Sequence, residues 1–297
     1  MSAPAPLRAR VAGPLLLVIT AVLWSLSGVL VKSIAWHPMA LAGARSVLAI
    51  PVILLFTGRP RWRFTPVQLG GAVAYSATMI FFILATTLTS AANAIFLQYT
   101  APIYVAVLSP LWLGEKALRS DRFLIPLALG GIALFFLDGL SASGWWGNVF
   151  GLGSGLAFAG TALCLRKAKD SSPATIILLG NILTALLAMP YLMRGGFPLE
   201  KFPLLLVLGL LQLGLAYGLY SVAIQRVTAL EATLLPLLEP ILNPVWVMLA
   251  LGEKPGGWAL TGAAVVLLAV MVRGILMVLT RPAPRAHEPT LLDERAH

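Results

Sequence analysis

Between Gly13 and Leu279 the chain is cut into ten apolar stretches: 13–34, 38–57, 67–88, 91–113, 123–140, 146–166, 173–193, 203–224, 229–250 and 257–279. Each is close to the ~20 helical residues that cross a ~30 Å hydrocarbon core. Inside such a core every backbone N–H and C=O must find its partner within the protein, which for isolated long apolar runs means an α-helix. A membrane β-barrel would show shorter segments of alternating polarity. Charged residues make up 11% of the chain, against the ~25% usual in soluble domains. The sequence therefore predicts an all-α polytopic membrane protein with ten transmembrane helices. "MSAPAPLRAR" ahead of an apolar run has the look of a secretory leader, but nine further spans favour an uncleaved first helix.

The net charge of +10 would suit a nucleic-acid partner if it were clustered on one surface. It is instead distributed by loop. With a cytoplasmic N-terminus, sixteen of the 21 Lys and Arg fall on the cytoplasmic side: Arg8, Arg10, Arg59, Arg61, Arg63, Lys116, Arg119, Arg122, Arg166, Lys167, Lys169, Arg226, Arg273, Arg281, Arg285 and Arg295. Lys32, Arg194, Lys201 and Lys254 fall outside, and Arg45 lies within a span. That asymmetry is the positive-inside rule. It predicts two cytoplasmic termini and a lipid-bilayer setting, with no nucleic-acid partner. The Pro-rich, charged segment from Arg281 onward reads as a mobile tail.

The chain also repeats itself. "PIYVAVLSPLWLGEK" (102–116) and "PILNPVWVMLALGEK" (240–254) match at eight of fifteen positions without a gap, at a shift of 138 residues. The same shift pairs "SAANA" (90–94) with "TALEA" (228–232). Both copies read [Ser/Thr]-Ala-x-x-Ala, seven residues, Pro-Ile, ten residues, Gly-Glu-Lys. The organisation is then a short N-terminus (1–12), a five-helix repeat (13–140), a second five-helix repeat (146–279) and the tail (280–297). Five is odd, so the second copy is inverted in the membrane and the two Gly-Glu-Lys loops lie on opposite faces. Inverted repeats with a site near the midplane between them characterise secondary transporters. The Gly-Glu-Lys triplets themselves sit at helix ends, where capping is the favoured role.

With the doubled motif, Trp24 in "AVLWSLSG" and Arg45 in "LAGAR", the chain resembles the drug/metabolite transporter superfamily, EamA type, over nearly its full length. Its bacterial aromatic amino-acid exporters are the nearest members. The resemblance implies a basket in which helices 1, 3, 4, 6, 8 and 9 surround a central cavity while helices 5 and 10 stand apart. It also implies a multi-pass protein of a bacterial cytoplasmic membrane. The second copy departs from the first, with Asn181 roughly where Arg45 would recur and Phe158 in place of Trp24.

Helical spacing groups the candidate lining residues. Tyr75, Met79, Phe82 and Thr86 share one face of helix 3, and their shifted equivalents in helix 8 are Leu213, Tyr217, Tyr220 and Ile224. Asn93, Thr100 and Tyr104 form a stripe on helix 4. Glu239, Asn243 and Trp246 share a face of helix 9, whose twin on helix 4 is the apolar set Ala101, Val105 and Leu108. One acidic, polar wall opposite a greasy one suits an amphiphilic solute. Taken singly, each aromatic is better explained by packing; the group at repeat-equivalent positions weighs evenly between packing and a site. Pro102 and Pro240 remove backbone donors within helices 4 and 9 and should kink them, and Pro236 and Pro244 crowd helix 9 further. Gly151, Gly155 and Ala159 in "GLGSGLAFAG" follow no strand, so they read as close helix packing rather than a nucleotide loop.

A carboxylate at the centre of a span costs at least ~2.5 kcal/mol on insertion scales. Glu239 lies about eleven residues into helix 9, so ~16 Å deep at ~1.5 Å per residue. Arg45 lies about 10 Å from the opposite face by the same rise. Two readings follow. Arg45 and Glu239 neutralise each other and tie the halves together, or Glu239 faces the cavity and binds a substrate amine and a proton.

The leading function is thus a secondary transporter that exports or exchanges small amphiphilic metabolites, most specifically amino acids, by alternating access. Drugs, sugars or nucleotide sugars are the alternative solutes. A membrane-embedded enzyme would need a nucleophile–base pair or a metal cluster. The three histidines, His37, His287 and His297, are scattered, and no paired aspartates or HExxH occur. No catalytic residue, metal or cofactor is expected. The single cysteine, Cys164, reads as a small buried residue. A monomer is the simplest assembly. The inverted topology has a direct test in a Cys164→Ala background. Lys254→Cys should react with an impermeant thiol reagent from outside and Lys116→Cys only from inside. Labelling of both from the same side would refute the inversion.

Overall fold

The computed structural model describes residues 7–57, 62–114, 119–138, 142–168, 173–194, 196–223 and 235–279. The "TALEA" segment, Glu115, Lys116, Ile224 and the tail lie outside the described residues. The described residues form helices and no strands. Seven helical spans are long and apolar enough to cross a bilayer, and two shorter apolar helices, Leu235–Leu251 and Gly257–Arg273, add to them. With an 18-residue helix over Asp121–Asp138 they make ten, arranged as the two inverted five-helix repeats that the doubled motif predicts.

Several spans are broken into pieces. Span 1 comprises α1 (Leu7–Ser25) and α2 (Ser27–Ile34), interrupted at Leu26. Spans 2 and 3 are α3 (Pro38–Thr57) and α4 (Pro66–Leu88). Span 4 is α5 (Ala91–Gln98) and α6 (Ala101–Trp112), separated by a turn at Tyr99–Thr100. Pro102 explains this break. It occupies the first turn of α6, where its missing N–H is harmless. Spans 5 to 7 are the helix α7 (Asp121–Asp138), α8 (Ala142–Lys167) and α9 (Pro173–Arg194). Span 8 runs as α10 (Phe202–Leu206), a π-helical stretch Val207–Leu215, and α11 (Ala216–Ala223). Span 9 begins with a 3₁₀ turn at Leu235–Leu237 and continues as α12 (Leu238–Leu251), and span 10 is α13 (Gly257–Leu279). Pro240 lies in the first turn of α12, as Pro102 does in α6, at the repeat-equivalent place.

The repeat extends to the backbone. Gly114 and Gly252, the paired glycines of Gly-Glu-Lys, both adopt left-handed angles, φ +68° and +70°. Such a turn suits glycine, which has no Cβ to clash. The two turns also lie at opposite ends of the bundle. Beside Gly252, Glu253 pairs with Lys32 of α2 and accepts the Ala91 N–H at 2.8 Å. The Lys32 ammonium also donates to the Thr89 carbonyl at 3.2 Å. At the other end, Lys167 reaches the Trp112 carbonyl at 3.3 Å next to the Gly114 turn, and Arg273 grips Asp121 with two hydrogen bonds of 2.8 and 3.3 Å.

Those contacts give the doubled motif a physical meaning. Ser90 is the N-cap of α5, its hydroxyl accepting the Asn93 N–H at 3.0 Å, and Glu253 from the other repeat satisfies the adjacent Ala91 N–H. The Ser-Ala of one copy is therefore capped by the Gly-Glu of the other. In the copy at Gly252–Lys254 the motif acts as a capping device through Glu253, as its position at a helix end suggests.

Small residues let the walls close up. A Cβ on Gly155 would meet the Leu97 carbonyl oxygen at 2.8 Å, and one on Gly151 the Leu97 side chain at 3.0 Å. The glycines of "GLGSGLAFAG" thus seat α8 against span 4. Cys164 is buried among apolar neighbours on α8. Helices α7 and α13 pack on each other, with Gly131 against Gly262 and Val265, beside the core that spans 4 and 9 contribute.

Removing the Glu253 cap leaves an orphan helix donor and an unpaired lysine. Glu253→Ala should cost about 1 kcal/mol, the usual value of a cap, and lower the melting temperature of purified protein by ~2–4 °C. Glu253→Gln, which keeps an acceptor for Ala91, should lose less. An unchanged melting point in Glu253→Ala would show that the inter-repeat cap carries no weight.

Candidate functional site

A cavity lies where the helix breaks converge. Its walls come from Trp24 and Ser27 of span 1, Arg45 of α3, Met79 and Phe82 of α4, and Gln98 and Tyr99 of span 4. Phe158 of α8, Gln212, Leu213 and Tyr217 of span 8, and Glu239 of α12 complete it. Helices 1, 3, 4, 6, 8 and 9 thus all contribute, as the resemblance implies. Helix 2 contributes too, through Arg45, which corrects the expectation that it stays outside. The space is about 40 Å³. By the same measure one water needs ~10–15 Å³, so the cavity as it stands holds a few waters and is small for a metabolite.

Glu239 is 7% exposed and sits in the first turn of α12. A helix N-terminus carries partial positive charge from its unpaired N–H groups, so the first turn of α12 gives the carboxyl group a favourable field. The Tyr99 hydroxyl lies 2.7 Å from Glu239 Oε2 and 2.8 Å from the Pro236 carbonyl oxygen. A phenol has one proton to donate. Both contacts are complete at once only when Glu239 is itself protonated and donates to Tyr99; otherwise Tyr99 serves one acceptor at a time.

Arg45 is 2% exposed. One of its terminal nitrogens donates to the Met79 carbonyl at 3.1 Å and lies 3.4 Å from Met79 Sδ, while Nε has no partner among the described residues. Arg45 and Glu239 share the cavity but form no ion pair. The π-helical stretch packs against the backbone that carries Arg45. Its Gly209 and Gly214 bring the backbone of span 8 close to Leu48, Ala49 and Val52 of α3, one turn from Arg45. Extra residues per turn of this kind often mark functional positions.

The apolar side is an aromatic cluster. Trp24 meets Tyr217 at 5.0 Å and Tyr220 at 5.3 Å between ring centroids, and Tyr75 meets Tyr217 at 5.4 Å. Asn181 donates to the Tyr75 hydroxyl at 3.1 Å. The residue standing roughly where Arg45 would recur thus orients a tyrosine. Neither the Trp24 indole N–H nor Gln212 Oε1 has a partner among the described residues.

Of the residues expected at the site, Trp24, Met79, Phe82, Tyr217 and Glu239 line the cavity, and Tyr75 and Tyr220 back it. Four lie elsewhere. Asn93 bonds to Asn148 Oδ1 at 3.1 Å near the start of α5. Tyr104 is half-buried on α6. Asn243 donates to Ser27 Oγ at 3.0 Å and Trp246 to Ser25 Oγ at 2.9 Å, fastening α12 to the break in span 1. The helix 4 stripe assumes a straight helix, and the turn at Tyr99–Thr100 separates Asn93 from Tyr104, while on α12 the Ser27 and Ser25 hydroxyls engage Asn243 and Trp246. Helical spacing does not single out Tyr99, Gln98 or Gln212, although Pro102 marks the register change beside the first two. Pro102 starts a new helix after the turn at Tyr99–Thr100 rather than kinking a continuous one, and Pro240 lies one turn after the 3₁₀ turn Leu235–Leu237, residues 224–234 before it lying outside the described residues.

The model of the EamA-like transporter family matches residues 11–137 and again 145–274. An uncharacterized transporter of Archaeoglobus fulgidus is 28% identical over 261 residues, covering 88% of this chain and 95% of its own. A solved crystal structure with 18% identity superposes with a TM-score of 0.64 over 92% of this chain and all of the other, a likeness of fold.

The division between lining and fastening residues is testable. Tyr99→Phe strips the donor from Glu239 and Pro236, and a lost buried hydrogen bond is worth ~1–3 kcal/mol. Transport should fall about tenfold in Tyr99→Phe by that energy, while Tyr104→Phe should match the wild type. Equal loss in both variants would refute the assignment.

Proposed function

The chain belongs to the EamA-like transporter family, and from that premise we propose that it moves small amine-bearing amphiphiles, amino acids first among them, by alternating access. Glu239 is the single observation that carries this reading. It is a membrane-depth carboxyl group with a hydroxyl donor and a helix N-terminus beside it, yet among the described residues no cationic partner lies within ion-pair distance. Ionisable groups at this depth are costly and mark solute or proton pathways. Its acceptor capacity faces a cavity, so a solute ammonium group is its natural counter-ion.

The aromatic cluster of Trp24, Tyr217 and Tyr220 receives the apolar end of the same solute. Aromatic faces accept varied apolar side chains and also tolerate a nearby cation. The small cavity fits one member of a pair of states that exchange around the site. Glu239 takes up a proton when the solute leaves, consistent with its two-way contact with Tyr99. Both termini and the Gly114 end face the cytoplasm of a bacterial cell on this reading, following the distribution of Lys and Arg. Sugars and nucleotide sugars offer no cation to Glu239, which makes them poorer candidates.

The decisive assay uses purified protein in liposomes with labelled amino acids, sugars and cationic drugs, with and without a pH gradient. Amino acids with large apolar side chains should move fastest, and exclusive transport of sugars would overturn the proposal. Glu239→Gln preserves shape and hydrogen bonding. It should fold in normal yield and lose at least tenfold of the transport of amine-bearing solutes. Full activity in that variant would remove Glu239 from the site.

A further inference from the structure

We infer that Arg45 is the carboxylate-binding end of the site, so that the cavity recognises a zwitterion, with ammonium at Glu239 and carboxylate at Arg45. The inference rests on the transport reading above and specifies the substrate class of that same cavity.

The argument starts from what the two charges do not do. Buried membrane charges ordinarily pair with each other. Arg45 and Glu239 line one cavity of about 40 Å³, and no ion pair joins them. Each is held from behind by its own neighbours. Tyr99 and the first turn of α12 hold Glu239, and Met79 holds one nitrogen of Arg45. A guanidinium carries five N–H donors, and in Arg45 the 2%-exposed side chain leaves Nε unpartnered among the described residues. A buried cation with an unpartnered donor at a cavity is a receptor for an anion.

The chemistry of the anion follows from the donor. A planar guanidinium matches a carboxylate with two parallel hydrogen bonds, where a lysine would offer a point charge. Phosphate has the same fork geometry but brings up to two negative charges into a cavity that already contains Glu239. A monoanionic carboxylate on a solute that also carries ammonium neutralises both walls at once. A solute with only one of these groups leaves the opposite wall charged and unpaired. Sites built this way reject the incomplete analogue far more strongly than a hydrophobic pocket rejects a missing methylene. The aromatic cluster lies on the same cavity, so the third feature of the solute is an apolar side chain.

The test compares four molecules with one aromatic end: L-phenylalanine, its amide, phenethylamine and hydrocinnamate. Each competes against labelled L-phenylalanine with wild-type protein in liposomes. The three analogues should compete at least ~100-fold more weakly than phenylalanine, in keeping with rejection of incomplete ligands. In Arg45→Gln the preference for phenylalanine over phenethylamine should fall at least tenfold, and Arg45→Lys should restore part of it. If the amide and phenethylamine match phenylalanine in the wild type, the carboxylate assignment is overturned while amine transport stands. If no amine-bearing molecule competes or moves, the transport reading falls and this inference with it. The wild-type comparison needs no variant, so it decides the carboxylate assignment even where Arg45→Gln protein folds poorly.

Discussion

A carboxyl group at the depth of Glu239 cannot rely on bulk water, and the protein must supply its solvation. Much of the surrounding architecture does this. In span 9 a 3₁₀ turn at Leu235–Leu237 leads into α12, which places the first turn of α12 at the carboxyl group, and Pro240, having no N–H, leaves the Pro236 carbonyl without its helical donor. Span 4 breaks at Tyr99–Thr100, and the tyrosine at that break places its hydroxyl within hydrogen-bond distance of both the carboxyl group and the freed carbonyl, with one proton to donate. Irregular backbone at membrane depth survives only where it is buried in protein or lines a cavity. The two turns and the cavity are therefore one feature. Neither turn would be tolerable without the hollow they jointly make.

The prolines at both turns come from the repeat, but the charge does not. Pro102 and Pro240 stand at equivalent places, while Glu239 corresponds to Ala101. A duplicated five-helix unit thus provides two weakened helices, and one of them alone carries the acid. The same duplication holds the halves together. Glu253, from the end of one copy, caps the helix that begins after Ser90 in the other and neutralises Lys32. Such a contact joins elements that must move relative to each other if the cavity is to open, and it lies at the bundle end far from the Asp121–Arg273 pair.

How much of this is legible in the sequence depends on whether a residue's environment is set locally. Span number, inversion and the capping role of Gly-Glu-Lys follow from periodicity and a 138-residue shift, and the fold bears out the first two. Met79, Phe82, Tyr217 and Glu239 are also within reach, because each sits where helical spacing alone fixes its face. Tyr99 is not, since its orientation depends on a turn whose cause, Pro102, lies three residues downstream. Trp246 and Asn243 are misplaced by spacing for a related reason. They share Glu239's helix, but the gap in span 1 at Leu26 presents Ser25 and Ser27 to them, and those hydroxyls turn them away from the cavity. Depth along the spans offers Arg45 only as a partner for Glu239. Its independence depends on the Met79 carbonyl and on the π-helical stretch of span 8, which brings Gly209 against the same turn of α3.

The small size of the cavity then constrains how a solute enters. The walls around this space of about 40 Å³ include Arg45, bonded to the α4 backbone, and Tyr217, packed between Trp24 and Tyr75. Shifting a whole wall makes room without breaking these contacts one by one. Close-packed helix interfaces switch between discrete arrangements more readily than they deform continuously. The seams best suited to hinge are the two interruptions within described helices, at Leu26 and at Tyr99–Thr100. Both border the cavity, and Ser27 and Tyr99 sit on or beside them. Movement at these seams would change the surroundings of the acid and the volume of the cavity together, which is the coupling between occupancy and conformation that a transporter requires.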